Sequence, residues 1–142
     1  MSYLSSYMRP ATLGRAVDNL CRLAIDKRLE FDTVVFRGVS GALVAPGVAL
    51  KLGKLLAVCR KPTEKAHCSA GLETSYLPVH RYVIVDDFIC SGSTIRAILE
   101  DVKAREPSAV CVGVLLYADK PEDTYCDKST FPPLYGVMTQ TD

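Results

Sequence analysis

The sequence predicts an α/β domain with a mostly parallel central sheet and helices on both faces. Three observations carry this. Short apolar runs alternate with helical patterns along the chain, which is the order that builds a parallel sheet covered on both sides. "YVIVDDFICSGST", residues 82–94, takes a continuous apolar run into two acids and a small polar turn. A buried parallel strand reads in this way. "IRAILEDVKA" follows as a helix, and a strand, polar turn and helix in succession is the layout of a ligand site in an open α/β sheet.

Each element follows in order. "ATLGRAVDNLCRLAIDKR" (11–28) places Leu13, Ala16, Val17, Leu20 and Ala24 at helical spacing, with Thr12 as the expected cap. "DTVVF" (32–36) is a short strand and "RGVSG" (37–41) a turn. "ALVAPGVALKLG" (42–53) is a helix that stops near Gly53 despite Pro46. "KLLAVCR" (54–60) is the next strand. Residues 61–80 are polar and aperiodic and read as a long loop, with room for a short strand. A strand over 82–85, a helix over 94–105 and a strand over 109–117 follow, and the tail "FPPLYGVMTQTD" is irregular.

The 142 residues suit one domain, 1–142, nearly half apolar and with a formal net charge of +1. That balance carries no signal for nucleic acid or an acidic membrane. The longest apolar run, 109–118, is too short for a transmembrane helix, and no signal-peptide pattern leads the chain. A cytoplasmic location is the expectation, with no membrane or nucleic-acid partner and no appended DNA-binding segment. The six cysteines form no Cys-x-x-Cys, and His67 and His80 share no ligand spacing with them, so free structural thiols and no zinc are expected.

Ionised carboxylates only accept hydrogen bonds, so Asp86 and Asp87 suit a ligand rich in hydroxyls, or a bound cation. Both serve one ligand only if the backbone turns between them, because neighbouring strand residues face opposite ways. Cys90, Ser91, Gly92, Ser93 and Thr94 stand where a helix starts, and helix amino-termini attract phosphate. An isolated acidic pair would be more simply a helix cap. The whole combination points instead to a phosphorylated sugar.

"VIVDDFICSGST" (83–94) resembles the ribose-5-phosphate motif of the type I phosphoribosyltransferases, in which apolar residues, two acids and two apolar residues precede a small-residue phosphate loop. The resemblance implies that Asp86 and Asp87 hold ribose hydroxyls and that Cys90 to Thr94 wrap the 5-phosphate of phosphoribosyl pyrophosphate. It implies Mg2+ as the cofactor, brought mainly by the substrate. "FRGVSGA" (36–42) falls where that family holds pyrophosphate, on Arg37, Gly38, Val39 and Ser40, although such a turn alone is ordinary structure.

"CRKPTEKAHCSAGLE" (59–73) is similar to the mobile catalytic loop of orotate phosphoribosyltransferases, where an Arg-Lys pair leads into Lys-x-His. The similarity implies that Arg60 contacts pyrophosphate and that Lys61, Lys65 and His67, with Asp87, serve catalysis. Here the spacing has an extra residue and the following glycines are missing, so the base stays open. The expected activity is transfer of ribose-5-phosphate to a nitrogenous base, orotate among the candidates. A phosphoribosyl pyrophosphate- or nucleotide-binding regulatory protein without turnover is the alternative. A symmetric homodimer is expected from the family, with Phe131, Leu134, Tyr135 and Val137 of the tail as apolar residues seeking a partner.

Overall fold

The structure is a computed structural model that describes residues 3–61, 71–118, 127 and 129–136. A 3-10 helix, Tyr3–Met8, precedes helix α1, Pro10–Asp26. Pro10 occupies the first helical position and Arg9 is the extended residue before it. The expected cap, Thr12, therefore lies inside the first turn. Proline wins the start because its fixed φ suits a helix and its missing N–H is no loss there.

Strand β1, Thr33–Phe36, runs straight into helix α2, Gly38–Leu52. The turn expected over 37–41 is thus mostly the first turn of that helix. Glycine and serine read as turn residues locally, but tight packing overrides the propensity. A Cβ on Gly41 would come within 2.8 Å of Phe36 Cβ and 3.2 Å of the Val85 carbonyl oxygen. The helix stops as expected at Gly53, which takes left-handed φ 68.

Strand β2, Leu55–Cys59, pairs with β1 in parallel and with the two-residue β3, Leu72–Glu73, in antiparallel. Strand β4, Arg81–Asp86, lies on the other side of β1, and helix α3, Ser93–Arg105, leads to β5, Val110–Leu116. The tail is not wholly irregular. Leu134–Gly136 forms β6, parallel to β5, with Val114 N–H donating to the Pro133 carbonyl at 2.9 Å. Two prolines and a three-residue length hide such an edge strand from sequence reading.

The sheet order is β3-β2-β1-β4-β5-β6, parallel except at β3. Alternate residues of β4 build two cores, as a strand covered on both faces requires. Val83 and Val85 join α1 and α2 through Leu20, Leu23, Val44 and Val48. Tyr82 and Ile84 join α3 through Ile95, Ile98 and Val102. The tail packs at home: Phe131 and Leu134 lie against the α3-side core and Tyr135 against the other. All three are partly buried there and keep part of their surface exposed, and Val137 lies outside the described residues. Among the described residues no helix is long and apolar enough to cross a membrane.

Connections leave β1 toward β2 on one side and β4 toward β5 on the other. Helices α2 and α3 cover opposite faces, so a crevice opens at the carboxyl ends of β1 and β4. Such a switch point is where open α/β sheets bind ligands.

Candidate active site

A cavity of about 390 Å³ occupies that crevice. Arg37 to Ser40 line it from β1, Asp86 to Ile95 from β4, and Lys61 from the end of β2. Lys65 and His67 lie outside the described residues.

The β4 side begins with the acids. Asp86, the last strand residue, is only 6% exposed, and its Oδ1 accepts Asp87 N–H at 2.9 Å and Ser40 Oγ–H at 3.2 Å. The chain then turns, and both side chains reach the one cavity, as shared ligand binding requires. Asp87 Oδ1 accepts Phe88 N–H at 2.7 Å, and Oδ2 accepts the Tyr3 hydroxyl. Continuing past β5, Tyr117 N–H and Ala118 N–H bond the carbonyls of Asp86 and Asp87, fixing the backbone under the pair. Burial pushes both carboxyls above the ordinary 3.8, against the hydrogen bonds that favour their charge. Lys61 adds a further opposing pull on Asp86.

Neither acid caps α3. The residue before that helix is Gly92, left-handed at φ 84, a conformation glycine adopts without strain, and it brings no side-chain cap. Ser91 Oγ takes Ser93 N–H at 3.3 Å, leaving the other early amides of α3 for an anion.

The β1 side supplies positive charge. Arg37 is extended, and Gly38 turns left-handed at φ 80 to open α2, again without a side-chain cap. Arg37 lines the cavity, and its Nε is buried without a hydrogen-bond partner, a costly orphaned donor. Lys61 lies alongside, its Cε and Nζ each 3.5 Å from where a Cβ on Gly38 would stand. The Tyr117 hydroxyl donates to the Ser40 carbonyl at 2.7 Å, so this residue after β5 ties the loop to the Asp86 backbone that its N–H also bonds.

Arg60 is placed differently. Its guanidinium bonds Glu73 across the β2–β3 pair, with Nε 2.6 Å from Oε1, and it does not line the cavity. Cys21 and Cys59 are buried and Cys111 half-buried, all free, as is Cys90, which is exposed on the loop. Cys59 donates to Asp101 at 2.7 Å, and burial pushes its thiol up to about 12.

Sequence reading missed Tyr3, Phe88 and Tyr117. The Tyr3 ring lies 5.6 Å from Phe88, and Tyr7 meets Tyr117 edge-on at 5.0 Å, so the amino-terminal turn roofs the site with aromatics. Tyr3 and Tyr117 stand too far from 82–94 to form a linear pattern with it, and Phe88 reads there simply as one of the motif's apolar residues.

Comparison with known proteins decides what this geometry belongs to. The family model for the phosphoribosyl transferase domain matches residues 13–131. The chain belongs to that family. This phosphoribosyl transferase domain is 30% identical over 115 residues to an adenine phosphoribosyltransferase of Thermotoga sp. (strain RQ2), covering 71% of this chain and 66% of that relative. The chain thus spans just under two thirds of the relative's length. It is 34% identical over 83 residues to the transcriptional regulator GfcR of Methanocaldococcus jannaschii, covering 54% of this chain and 39% of the regulator. Among solved structures, an orotate phosphoribosyltransferase of Francisella tularensis shares the fold with a TM-score of 0.69. That likeness covers 92% of this chain and 68% of the other at 18% identity.

Proposed function

We propose that the domain transfers ribose-5-phosphate from phosphoribosyl pyrophosphate to a ring nitrogen of a base, releasing pyrophosphate. One observation carries the reading: an acidic pair, Asp86 buried and Asp87 half-buried, stands in one cavity between two helix starts without a side-chain cap, and the start of α2 lies beside Arg37 and Lys61. In this reading the amides and hydroxyls of Cys90 to Thr94 hold the 5-phosphate, and Asp86 and Asp87 accept the ribose hydroxyls. Arg37 to Ser40 and Lys61 take the pyrophosphate. The bond from the anomeric carbon to pyrophosphate breaks and a bond to the base nitrogen forms, the base's proton leaving to solvent. Catalysis then rests on positioning and on cationic neutralisation of the leaving group.

The oxygen-only donors Asp86, Asp87 and Ser40 fit Mg2+ held through the substrate's hydroxyls and phosphates. When bound, the ion neutralises charge on the leaving pyrophosphate. Lys65 and His67 belong to this reading as residues that would close over the leaving group, and Arg60 serves it from its Glu73 pair by bracing the loop's first residues. A symmetric homodimer rests on family resemblance alone, and light scattering at twice the chain mass would support it. For the base, adenine comes first, because the Thermotoga relative is named for it and the likeness to the orotate enzyme is one of fold.

A second reading has its own observation, the similarity to a transcriptional regulator. There the same cavity binds phosphoribosyl pyrophosphate or a nucleotide without turnover. Pyrophosphate release decides between them. Mixing protein, Mg2+ and phosphoribosyl pyrophosphate with adenine, hypoxanthine, guanine, orotate or uracil should give release with one base. Tight binding without release from any base would establish the second reading, and absence of binding would overturn both.

A further inference from the structure

We propose that Arg96, stacked on Phe131, is a positioning residue that aims the 90–94 loop at a bound phosphate. The inference rests on the reading of that loop as the phosphate site. Phosphate loops work through backbone N–H groups, so each peptide must be held the right way round. This loop has limited support of its own: Cys90 and Ser91 are exposed, the residue before α3 is a glycine without a side-chain cap, and the Ser91 hydroxyl bonds within the loop to Ser93. Glycine there removes steric strain but also removes steric restraint.

Arg96 supplies the restraint. It stands in the first turn of α3, outside the cavity lining, and its Nη2 donates to the Ser91 carbonyl at 2.8 Å. In a trans peptide the carbonyl and the following N–H point in opposite directions. Holding the Ser91 oxygen from outside therefore turns the Gly92 N–H inward, and Gly92 is buried in the cavity wall. The guanidinium is itself held, with its carbon 5.8 Å from the Phe131 ring centroid. Phe131 is partly buried against the α3-side core, just before β6. Asp127, on the same stretch, lies within electrostatic reach of Arg96. The segment that leads into the edge strand thus braces the arginine, and the arginine braces the loop. A lysine could not do both, because it lacks the planar fork that stacks and donates together.

The assignment is distinct from a general charge effect and from a structural role. Calorimetric titrations with ribose 5-phosphate, and separately with magnesium pyrophosphate, on the full chain separate the three. Arg96→Ala should weaken ribose 5-phosphate by about tenfold, the scale of one charge-assisted hydrogen bond, and leave pyrophosphate at Arg37 to Ser40 unchanged. Arg96→Lys keeps the charge and should remain weak. Phe131→Leu keeps the arginine and an apolar contact and should cost about threefold, with melting temperatures confirming that every variant folds. Equal affinity in Arg96→Ala, or full affinity in both Arg96→Lys and Phe131→Leu, would overturn the clamp while leaving the site intact. A matching loss for both ligands would make Arg96 a general structural residue and also overturn it. Wild-type protein that binds no ribose 5-phosphate would remove the phosphate-loop reading and the clamp together.

Discussion

The loops after β1 and β4 use the same backbone device for opposite ends. Each leaves the carboxyl end of a parallel strand, and each opens a helix through a left-handed glycine, Gly38 at φ 80 and Gly92 at φ 84, without a side-chain cap. The β1 loop enters its helix at once and carries Arg37. The β4 loop first spends Asp86 and Asp87, and only then reaches its helix. Under the proposed function, two left-handed glycines at helix starts with an acidic pair between them would suit a molecule with phosphate at both ends and hydroxyls in the middle. On that proposal, the difference in charge assigns the pyrophosphate to the β1 loop and the 5-phosphate to the β4 loop. Substitutions that break one loop and spare the other test this directly.

The largest effect is expected from the acids. Asp86→Asn with Asp87→Asn should weaken phosphoribosyl pyrophosphate by about a hundredfold or more, the scale of losing two charge-assisted bonds, measured by calorimetry. The same variant should be more stable than the wild type at neutral pH, by roughly 0.5–2 kcal/mol, as is common when a functional strain is relieved. The sign follows from burial. Both folded carboxyls titrate above 3.8, so their stabilising contribution is present below the unfolded value and lost as pH rises through the folded values. The gap in melting temperature between variant and wild type should therefore close on acidification toward 3.8. A gap that widens in acid would contradict the assignment.

Arg37→Gln addresses the other loop. It should lower pyrophosphate affinity by about tenfold, from one charged bond lost, and leave ribose 5-phosphate untouched. Equal losses for the two ligands would show that the loops do not divide the ligand between them.

Sequence legibility also divided between these regions. The β4 loop was readable because its signals are contiguous: a two-sided apolar strand, the acids and the small turn all lie within 82–94. In the β1 loop, residues 37–41 read as a turn, and the helix that Gly38 to Gly41 begin shows only in the close approach of α2 to Phe36 and Val85. What stayed hidden is tertiary. Tyr3 meets Asp87, and Tyr117 meets Ser40, across separations no spacing rule spans. Strand β6 hid behind two prolines, and nothing in the helical stretch "IRAILEDVKA" singles out Arg96.

A smaller effect comes from the glycines. Gly92→Ala should destabilise by roughly 1–2 kcal/mol, the cost of a Cβ in left-handed backbone, read from urea denaturation. No loss would mean that the loop relaxes to another conformation, and ribose 5-phosphate affinity should then fall instead. The smallest effect belongs to Tyr3→Phe. It removes the hydroxyl that Asp87 now accepts, which a ribose hydroxyl would otherwise have to displace. Affinity for ribose 5-phosphate should rise about threefold, below the value of a full hydrogen bond because water replaces the tyrosine. A fall in affinity would show that the tyrosine helps the acid rather than competing for it.

The most direct test of one ligand spanning both loops compares three titrations under the same magnesium concentration: phosphoribosyl pyrophosphate, ribose 5-phosphate and pyrophosphate. Joining two fragments that fill adjacent subsites makes the second contact intramolecular, so the whole should bind about a hundredfold or more tighter than either part. Each fragment should also compete with it. Phosphoribosyl pyrophosphate that binds no tighter than ribose 5-phosphate would show that the β1 loop contributes nothing and would contradict the account.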